Sequence, residues 1–132
     1  LVHGFGLRQG ALASTVAHDS HNLVAVGCDE RSLATAARAA LAGGGGQVVA
    51  VGDQILAHLP LPIAGLLSDQ PAAEVVHLTR ALRNAAHGLG CPLSHPFMTL
   101  SFMALPVIPE LKLTDQGLVD ITRFSHVPLV VE

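Results

Sequence analysis

His18-Asp19-Ser20-His21-Asn22 gathers two imidazoles, a carboxylate, a hydroxyl and an amide in five consecutive positions. Such groups are costly to keep near a core unless they are paired or put to use. A run of them between apolar segments is therefore a candidate site. His18 and His21 are three apart. On a helix or tight turn both can face one metal, with Asp19 as an oxygen ligand; on an extended strand they point to opposite faces. A second reading makes His18, Asp19 or His21 the proton-handling or hydrogen-bonding groups of a catalytic site, with Ser20 and Asn22 as substrate-binding groups. A third is a structural polar knot, in which Asp19 and Asn22 bond local backbone while Ser20 and the histidines satisfy neighbours.

The remaining chemistry-bearing residues point elsewhere. Glu110 is two positions from Lys112, so on a strand both share a face and can pair; a substrate-binding or catalytic role for Glu110 is the alternative. Ser14 and Ser20 lack the Gly-x-Ser-x-Gly surroundings of a nucleophile elbow. Ser68-Asp69 reads as a helix cap, and Met98 and Met103 as core filling. Gly43 to Gly46 follows a helix and precedes a strand, with no Lys after it, which reads as a helix stop and turn rather than a phosphate cradle. Cys28 and Cys91 read as free thiols of a reducing cytoplasm; together they supply at most half of a tetrahedral zinc site.

The elements that must position these groups follow from the apolar pattern. Ala11 to Ala17 and Asn22 to Gly27 read as strands joined around the polar run, the second apolar enough for a central strand. Asp29 is an N-cap for a helix with Leu33, Ala36, Ala37, Ala40 and Leu41 on its buried face. Gln47 to Val51 and Gln54 to Leu59 form a hairpin about Gly52-Asp53. Leu59-Pro60-Leu61-Pro62 reads as an extended connector. Pro71 opens a second helix with Val75, Leu78, Leu82, Ala85 and Leu89 inward, leaving His77, Arg80, Asn84 and His87 on a solvated face. Phe97 to Met103 reads as a strand. Leu111 to Thr114 and Leu118 to Ile121 read as a hairpin closed by Asp115-Gln116-Gly117, and Val127 to Val131 as an edge strand. The expected fold is α+β: two helices packed on a mixed, largely antiparallel β-sheet in one domain over residues 1–132.

Composition narrows the function classes. The net charge is −3, from 7 Lys and Arg against 10 Asp and Glu, with no basic cluster and neither Trp nor Tyr, which argues against a nucleic-acid surface. No apolar run approaches a membrane span. Half of the residues are hydrophobic and only 13% charged, against about a quarter in an ordinary soluble domain. That shortfall implies a surface covered by another domain, a second subunit or both, so a homo-oligomer is expected. The chain opens on Leu1 without an initiator Met, which reads as a piece of a longer protein.

Several long strings carry a resemblance. His3-Gly4-Phe5-Gly6-Leu7, Gly10-Ala11 and Ala13 to Asn22 come first; Leu59-Pro60-Leu61-Pro62-Ile63-Ala64-Gly65-Leu66 with Ser68-Asp69 follow. Pro96 to Ser101-Phe102, Leu105 to Asp115 and Gly117-Leu118-Val119-Asp120 complete the series. In this order, over nearly the whole chain, they resemble the C-terminal domain of adenine deaminase, of the amidohydrolase superfamily. The resemblance implies a metal-dependent cytoplasmic hydrolase of adenine catabolism and purine salvage that converts adenine and water to hypoxanthine and ammonia. It also implies one or two divalent ions, manganese or iron, held by a (β/α)8 barrel domain of the same chain through a His-x-His motif. No two of the eight histidines here are two apart and the chain is too short for the barrel, so no metal is expected within residues 1–132 beyond the weak pair His18 and His21. The alternative is a stand-alone, non-catalytic interaction or ligand-binding module of the same fold.

Overall fold

A computed structural model describes residues 2–130. Strand β1 (Ala11–Ser14) has every side chain buried and sits inside a four-stranded sheet of order β2-β1-β3-β4. Its partners are β2 (Val24–Gly27) on one side and β3 (Gly46–Val51) on the other, and β3 continues the sheet to β4 (Gln54–Pro60). Every pairing is antiparallel. Period-2 alternation divides this sheet into two buried faces. Ala11, Ala13, Val48 and Ala50 face helix α1 (Glu30–Ala42), which packs on them through Ala36 and Ala40. Leu12, Val49, Ala57 and Leu59 face helix α2 (Ala72–Gly88), which contributes Leu82 and Ala86, and helix α3 (Pro96–Phe102), which contributes Phe97 and Leu100. The small side chains let α1 lie close, whereas the other face is filled by larger ones.

Local chemistry explains most of these elements. The Asp29 carboxylate accepts from the Ser32 N–H at 2.7 Å, capping α1, and that bond holds its pKa below the ordinary value. Gly43 ends α1, and Gly52 with Asp53 forms the β3–β4 turn. An exposed ion pair joins Arg31 to Asp53 across that end. Pro71 precedes α2, as expected, but Ser68 does not cap the helix: its hydroxyl accepts from the Gln70 N–H in the preceding turn.

Further expectations are corrected. Phe97 to Met103 is helical, because Pro96 presets a helical φ at the first turn and Phe97, Leu100 and Ser101, spaced i, i+3, i+4, bury one stripe. β2 is an outer strand, half-exposed along its length, since its apolar run faces the core only through Val24 and Val26. Leu59-Pro60 still belongs to β4; Pro60 pairs with Gly46, which is tolerable because β4 is the other outer strand. Leu41 is exposed at the end of α1. The last hairpin forms a separate antiparallel sheet, β5 (Leu111–Thr114), β6 (Gly117–Asp120) and β7 (Ser125–His126), in which Gly117 pairs with Thr114 and the turn is two residues. The final strand is therefore Ser125–His126 rather than Val127 to Val131, of which Val131 lies outside the described residues. The α+β class stands, with three helices and two sheets among the described residues. No helix among the described residues is long and apolar enough to cross a membrane.

One buried hydroxyl ties three segments together. Thr15 Oγ1 donates to the Gly65 carbonyl at 2.7 Å and accepts from the Gly46 N–H at 2.9 Å, while the Thr15 N–H donates to the Gly46 carbonyl at 3.1 Å. Gly45, at φ +142°, lets the backbones meet: a β-carbon there would lie 2.3 Å from Gly65 Cα. Thr15→Val keeps the shape and deletes the hydroxyl, leaving a buried N–H and a buried carbonyl without a partner. We expect urea unfolding to show a loss of about 1–3 kcal/mol, with the secondary structure by circular dichroism unchanged; an unchanged unfolding midpoint contradicts this role.

Candidate functional site

The run His18 to Asn22 forms the reversal between β1 and β2, at the end of the four-stranded sheet nearest α3. Its root is fixed from both sides. The His18 N–H donates to the Ser101 carbonyl at 3.1 Å, and the His18 ring stacks on Phe102 at 5.1 Å between centroids and 21° between planes. The His21 N–H donates to the Ala17 carbonyl at 2.7 Å, closing the turn. His21 takes φ +50°, left-handed backbone that histidine adopts more readily than most residues but still at a cost. Strain of this kind in an exposed polar turn is a pointer to function.

The turn brings His18 and His21 together, with ring centroids 6.0 Å apart and tilted by 56°. Asp19, Ser20, His21 and Asn22 are exposed and His18 is half-buried. Asn22 Nδ2 donates to the Ser20 hydroxyl at 3.4 Å, a weak bond within the turn. Among the described residues no side-chain hydrogen bond or ion pair engages Asp19, His18 or His21. Among the described residues no three His, Cys, Asp or Glu side chains gather to hold an ion, so His18 and His21 by themselves supply fewer ligands than a resident site uses.

Glu110 is not part of this turn. It precedes β5 on the second sheet, is exposed, and its carbonyl accepts from the Ile121 N–H at 2.9 Å. The expected Glu110–Lys112 pair is absent among the described residues. Lys112 is buried and donates to the Leu111 and Pro109 carbonyls at 3.2 and 3.4 Å.

Sequence reasoning missed the neighbours that shape the site. Ser101 and Phe102 are more than eighty residues from the turn they hold, and no local pattern signals the contact. A cleft of about 530 Å³ opens between α2 and α3, with Gln47 at its floor and Val76, Arg80, Arg83, His95 and Met98 among its walls. Gln47 Nε2 donates to Ser14 Oγ at 3.4 Å, at the end of the strand that leads into the turn. Arg80 thus faces a cleft, not only solvent, and Met98 is exposed at 54% instead of filling the core. Met103 does pack against the core. The ion pairs of the described residues engage Arg31 and Arg123, and none of the described carboxylates lines the cleft opposite Arg80 and Arg83.

One half-buried imidazole lies away from the turn. His58, on β4, has its Nε2 enclosed without a partner among the described residues, and burial holds its pKa below the ordinary 6.5. A β-carbon at Gly46 would lie 2.7 Å from that nitrogen, so glycine there leaves the ring its space.

The family model described as "Adenine deaminase C-terminal domain" matches residues 1–125. Among curated proteins, the chain is 54% identical over 132 residues to a protein named adenine deaminase from Methanothrix thermoacetophila, covering 100% of this chain and 23% of that protein. It is 54% identical over 128 residues to one of the same name from Dehalococcoides mccartyi, covering 97% and 22%. A third, from Brucella abortus, is 53% identical over 126 residues, covering 96% and 22%. The chain spans less than a quarter of the length of these relatives.

The His58 environment gives a pH dependence with a defined sign. The folded chain binds its proton less tightly than the unfolded chain, so the unfolded state holds more protons below about pH 6.5 and stability rises with pH through that region. The gain is complete above pH 6.5. We expect the rise in melting temperature between acid and neutral pH to be smaller in His58→Leu than in the wild type; an equal or steeper rise contradicts the assignment.

Proposed function

Because the chain belongs to the adenine deaminase C-terminal domain family, we propose that it is the C-terminal domain of a metal-dependent adenine deaminase. Its polar turn faces the active site of a barrel domain in the same longer protein. The full protein would hydrolyse adenine to hypoxanthine and ammonia. The divalent ion, manganese or iron, would be held by the barrel domain, since the residues described here do not fit one. When bound there it would supply the activated water.

The observation that carries this reading is the state of the turn. Asp19, Ser20, His21 and Asn22 are exposed, one of them in left-handed backbone, and the carboxylate and both imidazoles have no side-chain partner among the described residues. A knot closed within this domain would have consumed those groups. As they stand, they are free to meet a purine or the groups of a neighbouring domain. Asp19 would accept a hydrogen bond from an amino or ring N–H, or hold a proton during departure of ammonia. His18, held flat against Phe102, would position the turn more than act itself. Two free cysteines suit a reducing cytoplasm, and the low charged content suits a domain with much of its surface covered.

The test separates a role in the site from a role in folding. In the full-length protein, Asp19→Asn is expected to lower kcat/KM for adenine at least about tenfold, or roughly 1.4 kcal/mol of transition-state stabilisation, with melting temperature and bound metal unchanged. Wild-type kcat/KM sinks the proposal for this turn. The same reading expects the isolated 132-residue chain, supplied with manganese or iron, to release no ammonia from adenine above a heat-killed control. Release above that control would favour a self-sufficient module.

A further inference from the structure

We propose that the outer face of α3, flanked by the Arg80–Arg83 side of α2 and the turn at 18–22, is the surface on which this domain docks against the barrel domain. This rests on the reading above that such a domain completes the protein. The barrel patch it fits is apolar at its centre, with carboxylates at the rim opposite the two arginines.

Helix α3 buries Phe97, Leu100 and Ser101 and turns Met98 and Phe102 outward. These two are four residues apart and so neighbours on one face. Met98 is 54% exposed and Phe102 37%. The face continues in both directions. At one end Phe102 stacks on His18, joining it to the polar turn. At the other, Met98 shares the cleft wall with Val76, itself 50% exposed, and with Arg80 and Arg83. The strip thus combines a methionine, an aromatic ring and arginines, the residue types enriched at protein interfaces, with no carboxylate of the described residues in the cleft to neutralise the guanidiniums.

What covers it follows from length and charge together. The relatives are more than four times as long as this chain, so most of their mass is available in cis. Two guanidiniums without a carboxylate of the described residues in their cleft call for acidic groups on the covering surface. The strip also ends on the candidate site. Docking there would carry Asp19 and the imidazoles to the partner's surface, whereas docking through α1, on the opposite face of the sheet, would leave them in solvent.

The experiment uses the full-length protein with Cys28→Ser as background, since Cys28 is exposed and Cys91 buried. Met98→Cys or Val76→Cys places a thiol on the proposed face; Leu41→Cys, on α1, and Leu113→Cys, on the second sheet, place equally exposed thiols elsewhere. Maleimide labelling of the native protein is expected to be at least about tenfold slower at positions 76 and 98 than at 41, because a covered thiol reacts only through local opening. Adding Arg83→Glu is expected to speed labelling at position 98 severalfold, by setting carboxylate against carboxylate. Labelling at 76 and 98 as fast as at 41 overturns the docking face. So does protection at 113 with 76 and 98 open, which would move the contact to the second sheet. Ammonia release by the same preparations reports separately on the deaminase reading, so the two can fail independently.

Discussion

The hydroxyl of Thr15 is the point on which the rest of the molecule hangs. It lies one residue beyond β1, and its two bonds clamp the glycine turn entering β3 and the loop leaving β4. The Leu61 N–H adds a bond to the Gly45 carbonyl at 2.9 Å. Three chain segments far apart in sequence are thereby held at backbone contact, which only glycine at position 45 permits. The sheet order β2-β1-β3-β4 depends on this corner, because β1 must run between β2 and β3 and then leave at once toward the surface. What leaves is the polar turn. Its root is therefore as rigid as the core, while its tip is exposed, an arrangement suited to presenting side chains to another body.

The first sheet and its flanking helices were legible because their patterns were local. Asp29 as cap, the alanine stripe of α1, Gly52-Asp53 between two apolar runs and Pro71 before α2 each act within a few residues of the structure they specify. Phe97 to Met103 was not legible, since seven residues carry too little periodicity to separate a strand from two turns of helix, and the deciding term was burial of Phe97 and Leu100 against distant Leu12. Strand rank failed for a similar reason: β2 is as apolar as a central strand, but its outer position is set by β1 choosing β3 as its second neighbour.

The candidate site divides the same way. Its residue types were visible as an anomaly in an apolar chain, and the reversal that brings His18 near His21 follows from the strands on either side. Whether those groups satisfy one another or remain available depends on Phe102, Ser101 and the absence of nearby donors, none of which has a sequence signature. Glu110 shows the converse. Two-residue spacing assigned it to the face of Lys112, but the strand begins one residue later, and Lys112 turns inward to carbonyls.

The outer strand β4 has a bearing on how this domain behaves in company. It is seven residues long and carries exposed Ile55 and Leu56, the profile of an edge that recruits further strands and seeds aggregates. Pro60 closes it with a residue that has no N–H to offer, and Pro62 follows two positions on, so an incoming strand loses its ladder at that end. A bulge at Leu56 of β4 itself, where Val49 pairs with Ala57 and Ala50 with Ile55, skews the ladder midway. Two prolines and one irregularity of register thus guard this edge, where charge is sparse.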